Sequence, residues 1–269
     1  MEISVPAQKP LSPIGQARHL FIPVGTAICA TVAIWLFLDM SAQSTPAADD
    51  SQISNGLATM LRAARTVISK NQDRINDASI GDKGLDAKKV LGETIAIYRQ
   101  SSEVDPGAID TDSLQGRLIH MQMESIAEVM EVHQETINRQ GVGFKGFIPA
   151  VFARLVNEAF GRRAAGVAEI KVTAPPQLLR NPKVQPDPWE LEVIQSQLLS
   201  PSWQKNQPYS AIVEKNGKQA QRTLMPEYYG RSCLACHGDP QGEIDITGFP
   251  KEGAHEGDLG GIISITLYR

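Results

Sequence analysis

Residues 20–38 (LFIPVGTAICATVAIWLFL) form an uncharged run that constrains this chain of 269 residues more than any other feature. The run is just long enough to cross the hydrocarbon core of a bilayer as a helix. Lys9 and Arg18 precede it, and Asp39 follows it. Because the positively charged flank of a span stays in the cytoplasm, we expect the chain from about residue 40 onward to be exported.

A cleaved signal peptide is the alternative to a membrane anchor. The apolar region of a signal peptide is normally about 7–15 residues long, and it ends at a small-residue cleavage site. The run here is longer, and Met40-Ser41-Ala42 is a poor cleavage site. We therefore predict a single-pass protein of the inner membrane with its C-terminal domain in the periplasm. Its segments would be a cytoplasmic tail (1–19), a transmembrane anchor (20–40), a small polar linker (41–51) and an exported domain (52–269).

The composition is that of a globular domain without affinity for nucleic acid. Hydrophobic residues make up 42% of the chain and charged residues 21%, so a packed core is feasible. The net charge of −4 is spread along the chain, and no basic stripe is present. Membrane lipid and protein partners are therefore expected, and nucleic acid is not.

The pattern of the exported part changes from helical to extended along the chain. Apolar residues at helical spacing predict helices over 53–75, 86–100 and 112–139, and another that begins at Pro149. Strand signals follow at 167–172, 209–213, 221–225 and 260–267, with a short helix from 186 to 190. Asn216-Gly217 favours a hairpin turn, because both residues accept positive φ. Helices followed by a small antiparallel sheet predict an α+β fold.

Cys233-Leu234-Ala235-Cys236-His237 is the attachment pattern of a c-type haem. Two thiols three residues apart can reach both vinyl groups of one haem, and the adjacent histidine then lies under the iron. A dithiol redox pair would leave His237 unexplained. Half of a zinc site would need two further ligands, which His255 could only partly supply. We predict one covalently bound haem c held by Cys233, Cys236 and His237.

Several segments around this motif resemble one family. They are Arg180-Asn181-Pro182, Pro186-Asp187-Pro188-Trp189-Glu190, Tyr228-Tyr229, CLACHGDP at 233–240 and GDLGGIIS at 257–264. Together they are similar to a haem-binding domain first noticed in a cyanobacterial c-type cytochrome and long filed as a domain of unknown function. The resemblance covers residues 50–269 and is strongest from 178 onward. It implies a PAS-like fold, a small antiparallel sheet flanked by helices, with one c-type haem. It also places Arg180 near the cofactor, where it would either pair with a haem propionate or fix a turn.

The resemblance does not identify the distal ligand of the iron. In the cyanobacterial relative a cysteine on an upstream helix occupies that position, whereas this chain has Phe144 there. His133 is our candidate ligand, because it is the one polar member of an apolar stripe made of Ile119, Met123, Ile126, Met130 and Ile137. A satisfied core histidine, ligation by Met123, Met130 or His255, and an open site are the alternatives.

Electron transfer is the function we expect from one covalently held haem tethered at a membrane. No nucleophile–base motif, phosphate loop or catalytic carboxylate pair is evident, so no catalytic residue is assigned and an enzyme is not expected. The partner would be a soluble redox protein or a membrane complex. A haem-based redox or gas sensor acting through a partner, and an accessory haem subunit of a larger membrane complex, are the alternatives.

Overall fold

The computed structural model describes residues 48–269, so the tail and the anchor predicted from the sequence lie outside the described residues. Within 48–269, no helix has both the length and the apolar character needed to span a membrane. The first half of the described chain is helical. Its helices are α1 (Ala48–Lys70), α2 (Gln72–Asn76), α3 (Ala87–Ser102), α4 (Leu114–Asn138) and α5 (Pro149–Arg163).

The helices form where apolar periodicity and capping residues predict them. The apolar stripe of α1 is buried, including Leu57, Met60 and Leu61. The side chain of Asp86 accepts a hydrogen bond from the Lys89 backbone N–H at the start of α3, and Ser113 caps α4 in the same way through Gly116. Each cap satisfies a backbone donor that has no partner inside its helix.

One predicted helix is two helices. The expected span 53–75 begins at Ala48, stops at Lys70 and resumes as α2 from Gln72 to Asn76. Asn71 interrupts it, with its side-chain amide donating to the Val67 carbonyl at 2.9 Å. The side-chain amide of Gln72 donates to the carbonyl of Phe147 at 3.0 Å, so a long-range contact holds the start of α2 after the break.

The second half of the chain contains a four-stranded antiparallel sheet. Its strands are β1 (Ala168–Thr173), β2 (Tyr209–Lys215), β3 (Lys218–Tyr228) and β4 (Leu259–Tyr268), in the order β1-β4-β3-β2. The predicted hairpin joins β2 to β3, and Asn216 and Gly217 have φ values of 55° and 74°. The α+β fold class is therefore confirmed, with four strands in a small sheet.

Both faces of the sheet are covered. One face, including Ile263, Ile265 and Leu267 of β4, packs into the same core as the five helices. On the other side, Leu224 and Ile262 pack with Val193, Ile194 and Leu198 of the short helical stretch after β1. That stretch contains α6 (Pro188–Val193) and a π-helical turn (Ile194–Leu198). The sheet is therefore the middle layer of the domain.

A buried ion-pair network joins α6 to the sheet. Asp187 caps α6 in a capping box with Glu190, whose carboxylate is fully buried. Glu190 accepts from Lys171 of β1 at 2.6 Å, from Arg222 of β3 at 3.0 Å and from Ser264 of β4 at 2.6 Å. One carboxylate thus contacts three strands.

Candidate functional site

The Cys-x-x-Cys-His segment lies directly after β3. Tyr229 and Gly230 lead into a 3₁₀ turn (Arg231–Cys233), which continues into a single helical turn, α7 (Leu234–His237). Cys233 and Cys236 are free thiols, and both are half-buried. Residues three apart in a helical turn point to the same side, so both thiols are available to one flat partner.

Gly238 follows the last residue of α7 and lies close to the backbone of Leu234. Its N–H donates to the Leu234 carbonyl at 2.9 Å, and a Cβ at Gly238 would lie 2.7 Å from that oxygen. No larger residue fits here without moving the turn. The glycine therefore holds the cysteines and His237 in one compact turn.

The segment 239–254, here called the cover loop, folds back over α7. The Ala254 N–H donates to the His237 carbonyl at 2.8 Å, and Ile244 pairs with Pro250 across the loop. Inside the loop, Asp245 accepts from the backbone N–H groups of Thr247 and Phe249. The loop is therefore closed on itself and fastened to the helical turn that carries His237.

The imidazole of His237 is held by two side chains. Its Nδ1 lies 2.8 Å from Glu252 Oε2 of the cover loop, and its ring stacks on Tyr229 with centroids 4.8 Å apart. Since a carboxylate can only accept, Nδ1 carries a proton and donates it, so Nε2 is the nitrogen that could bind a metal. A histidine whose other nitrogen donates to a carboxylate is the usual form of a metal-ligating histidine.

Arg180 fastens the cover loop to the motif from the other side. It donates to Asp245 at 2.6 Å, to both oxygens of Glu252 at 2.9 and 3.1 Å, and to the Cys236 carbonyl at 2.8 Å. The structure thus places Arg180 beside the attachment motif, and its position relative to the cofactor stays a prediction. Its pairing with a propionate stays a prediction, and the contacts favour the alternative in which Arg180 fixes the loop.

The charges of this network are set by burial and by direct hydrogen bonds. Burial alone would raise the pKa of Glu252, but the hydrogen bonds from Arg180 and His237 outweigh it and leave that pKa below its ordinary value. Asp245 has a lowered pKa in the same way, through Thr247 and Arg180. Burial raises the pKa of the Cys236 thiol and raises that of Tyr229 to about 12. At neutral pH both carboxylates are therefore charged.

His133 lies near the end of α4, half-buried. Its Nδ1 is 3.0 Å from the Val129 carbonyl, and its ring lies against Phe147 with centroids 5.5 Å apart. Over residues 48–269, no hydrogen bond or ring contact joins His133 to the Cys233–His237 segment. The apolar stripe of α4 packs into the helical core, where Met130 is fully buried. His133 as distal ligand stays a prediction.

His255, the other histidine considered as a ligand, lies at the surface. Its nitrogens are 3.6 Å from Asp258 and 3.9 Å from Asp239. In the described part of the chain, no three histidine, cysteine or acidic side chains gather closely enough to hold a metal ion on their own. A haem brings its own iron and four nitrogens, so one axial histidine is enough to hold the iron, and two thiols suffice to attach the porphyrin through its vinyl groups. The residues of the 3₁₀ turn and of α7 fit that group.

Three functional side chains were not found from the sequence as parts of the site. Glu252 and Asp245 stand in a loop without a recognisable motif, and Tyr229 was noticed only within the Tyr228-Tyr229 pair. Their roles depend on how the cover loop folds back. The sequence does contain one feature related to Tyr229. Gly260 in the GDLGG segment has no side chain, and this leaves room for the Tyr229 ring.

The comparisons with known proteins give one match. The family model described as Tll0287-like matches residues 50–267. No curated protein and no solved structure matches significantly. The matched span covers nearly all of the helices and the sheet and contains the Cys233–His237 segment, and the chain belongs to the Tll0287-like family of PAS-like, c-type haem-binding domains.

Proposed function

We propose that this chain is a membrane-anchored periplasmic cytochrome that carries one covalent haem c and transfers electrons, and that it is not an enzyme. The observation that supports this best is the arrangement of Cys233, Cys236 and His237. Two free, half-buried thiols stand three residues apart in a helical turn, and His237 beside them has Nε2 available while Nδ1 is held by Glu252. Membership of the family supports a haem-binding domain.

The residues of the chain have distinct tasks in this proposal. The thiols of Cys233 and Cys236 would each add across one vinyl double bond of the haem, with the sulfur bonded to one carbon and the thiol proton transferred to the neighbouring carbon. His237 would bind the iron through Nε2. The haem iron would supply the electron exchange by alternating between its ferric and ferrous states. The cover loop holds the motif in place through the contacts of Glu252 and Ala254 with His237.

Covalent attachment is tested with a double variant. Cys233→Ala together with Cys236→Ala should abolish haem staining of the full-length protein on a denaturing gel. Cys29→Ala is the matched control, because this third cysteine stands in the apolar run, and its staining should not change. Retained stain in the double variant would refute the covalent haem.

The anchor and the orientation are proposals that rest on the apolar run at 20–38 and on its flanking charges. Full-length protein should sediment with the inner membrane and resist extraction by high salt. Protease added to spheroplasts should digest the C-terminal domain. Recovery in the soluble periplasmic fraction would favour a cleaved signal peptide instead.

Carbon monoxide distinguishes electron transfer from gas sensing. A six-coordinate low-spin haem whose reduced spectrum ignores CO supports the proposed electron carrier. Ready binding of CO to a five-coordinate ferrous form would support a sensor that acts through a partner. The measurement needs only oxidised and reduced visible spectra of the purified protein, with and without CO.

A further inference from the structure

We propose that Glu252 is a positioning residue for the haem, one that fixes the tautomer of His237 and lowers the reduction potential of the iron. This inference rests on the proposed function, because it assumes that His237 is the axial ligand. It concerns a contact across the site that the attachment motif itself does not contain.

The imidazole of His237 has little freedom. Glu252 Oε2 lies 2.8 Å from Nδ1, and the Tyr229 ring stacks on the imidazole at an angle of 27°. The backbone carbonyl of His237 accepts from Ala254 of the same loop. These contacts fix both the direction of Nε2 and the rotation of the ring about that direction.

The carboxylate is itself held in place. Arg180 Nε donates to Glu252 Oε1 at 2.9 Å, and a terminal nitrogen of Arg180 lies 3.1 Å from Oε2. The guanidinium is in turn fixed by Asp245, which is buried, and by the Cys236 carbonyl. Since only 16% of the Glu252 side chain is exposed, water cannot easily replace His237 as its partner. The hydrogen bond to Nδ1 is therefore built in before any cofactor binds.

A charged hydrogen-bond acceptor on Nδ1 makes Nε2 a stronger electron donor. Stronger donation and a nearby negative charge both favour the ferric over the ferrous iron, so the potential falls. Arg180 limits the effect because its positive charge partly neutralises Glu252. Glu252 thus lies between the imidazole of His237, which it makes a stronger donor, and the guanidinium of Arg180, which partly neutralises its charge.

The test compares Glu252→Gln with Asp245→Asn in the full-length protein carrying its haem. Both variants remove one negative charge that contacts Arg180, but only the first changes the acceptor on His237. We expect Glu252→Gln to shift the reduction equilibrium about tenfold towards the ferrous state, which raises the midpoint potential by about 59 mV for one electron. Asp245→Asn should give a clearly smaller rise. The ferric EPR g-values, which report the axial ligand field, should change only in Glu252→Gln.

Equal shifts of potential in the two variants, or unchanged g-values in Glu252→Gln, would overturn the inference while leaving the covalent haem intact. Wild-type protein without covalent haem would overturn the proposed function and this inference with it. Should Glu252→Gln fail to incorporate haem, Glu252→Asp carries the test. Its shorter side chain lengthens the contact with Nδ1, so the potential should rise by a smaller amount, and an unchanged potential would refute the role.

Discussion

At the scale of single residues, the ring of Tyr229 is what connects β4 to the attachment motif. It is nearly buried, with one face on His237 and Gly260 beside it. A Cβ at Gly260 would lie 2.5 to 2.7 Å from three atoms of that ring. Gly260 is thus required because a neighbouring ring occupies the space of a side chain.

Gly260→Ala should therefore displace Tyr229 and disturb His237. We expect a loss of about 1–3 kcal/mol in the free energy of unfolding, as for other overpacked sites, together with an altered visible spectrum. Urea unfolding followed by circular dichroism measures the first quantity. Gly261→Ala is the matched control, since its Cβ would come no closer than 3.4 Å to the Thr173 carbonyl. Equal losses in the two variants would contradict this explanation.

The distal ligand is also decided by one residue. If His133 binds the iron, Nε2 must do so, because Nδ1 faces the Val129 carbonyl. His133→Ala should then convert a low-spin spectrum to a high-spin one, whereas His120→Ala on the same helix should leave it unchanged. A low-spin spectrum that persists in His133→Ala would exclude this ligand.

At the scale of elements, the buried charge of Glu190 holds α6 in place, and the helix itself is short. It has only six residues, too few for a stable isolated helix, and Glu190 ties it to β1, β3 and β4. The buried carboxylate of Glu190 compensates the positive charge of Arg222. The guanidinium carbon of Arg222 also lies 4.4 Å from the centroid of the Trp189 ring. The network therefore fixes how α6 covers the sheet.

Glu190→Ala should destabilise the domain by up to about 3 kcal/mol, because Arg222 and Lys171 lose a fully buried partner, while Asp187 at 2.6 Å still pairs with Arg222. The double variant Glu190→Leu with Arg222→Met should recover part of that loss, since apolar residues of similar volume can replace a buried pair. Urea unfolding at neutral pH compares the three proteins. A single variant as stable as the wild type would show that the network contributes little.

At the scale of the whole molecule, the acid stability of the fold follows from carboxylates that accept hydrogen bonds from arginines. Burial opposes ionisation of Asp187, but hydrogen bonds from Arg222 and from the Glu190 backbone outweigh it and lower the pKa of Asp187. The pKa of Asp245 is lowered as well. A carboxyl whose pKa is lower in the folded state stabilises the fold above its unfolded pKa, about 3.9, and this contribution disappears as the pH falls through the folded value.

We therefore expect the free energy of unfolding to be little affected by these groups from pH 7 to about pH 5, and to decline below about pH 4. Asp187→Asn should decline less steeply, because asparagine still caps α6 but has no charge to lose. Urea titrations between pH 3 and 7 test this. Parallel declines in the two proteins would show that Asp187 does not contribute to the acid transition.

Much of the fold could be predicted because its signals are local. The stripes of α1 and α4 follow the helical period, Asp86 and Pro149 stand at helix starts, and Asn216-Gly217 marks the hairpin. The break at Asn71 could not be predicted in the same way, since Gln72 is turned towards Phe147, 75 positions away. Local patterns predict elements, and contacts distant in the chain decide where they end.

The same distinction applies to the site. Cys233, Cys236 and His237 could be proposed as cofactor residues from the sequence alone, because they stand within five consecutive positions. Glu252 is 15 positions from His237, and Arg180 is 72 positions from Glu252. Only the tertiary structure brought them together, because the cover loop must first fold back and the segment after β1 must cross to meet it. The sequence by itself determined which residues form the candidate attachment motif, and the folded chain decided which groups surround its histidine.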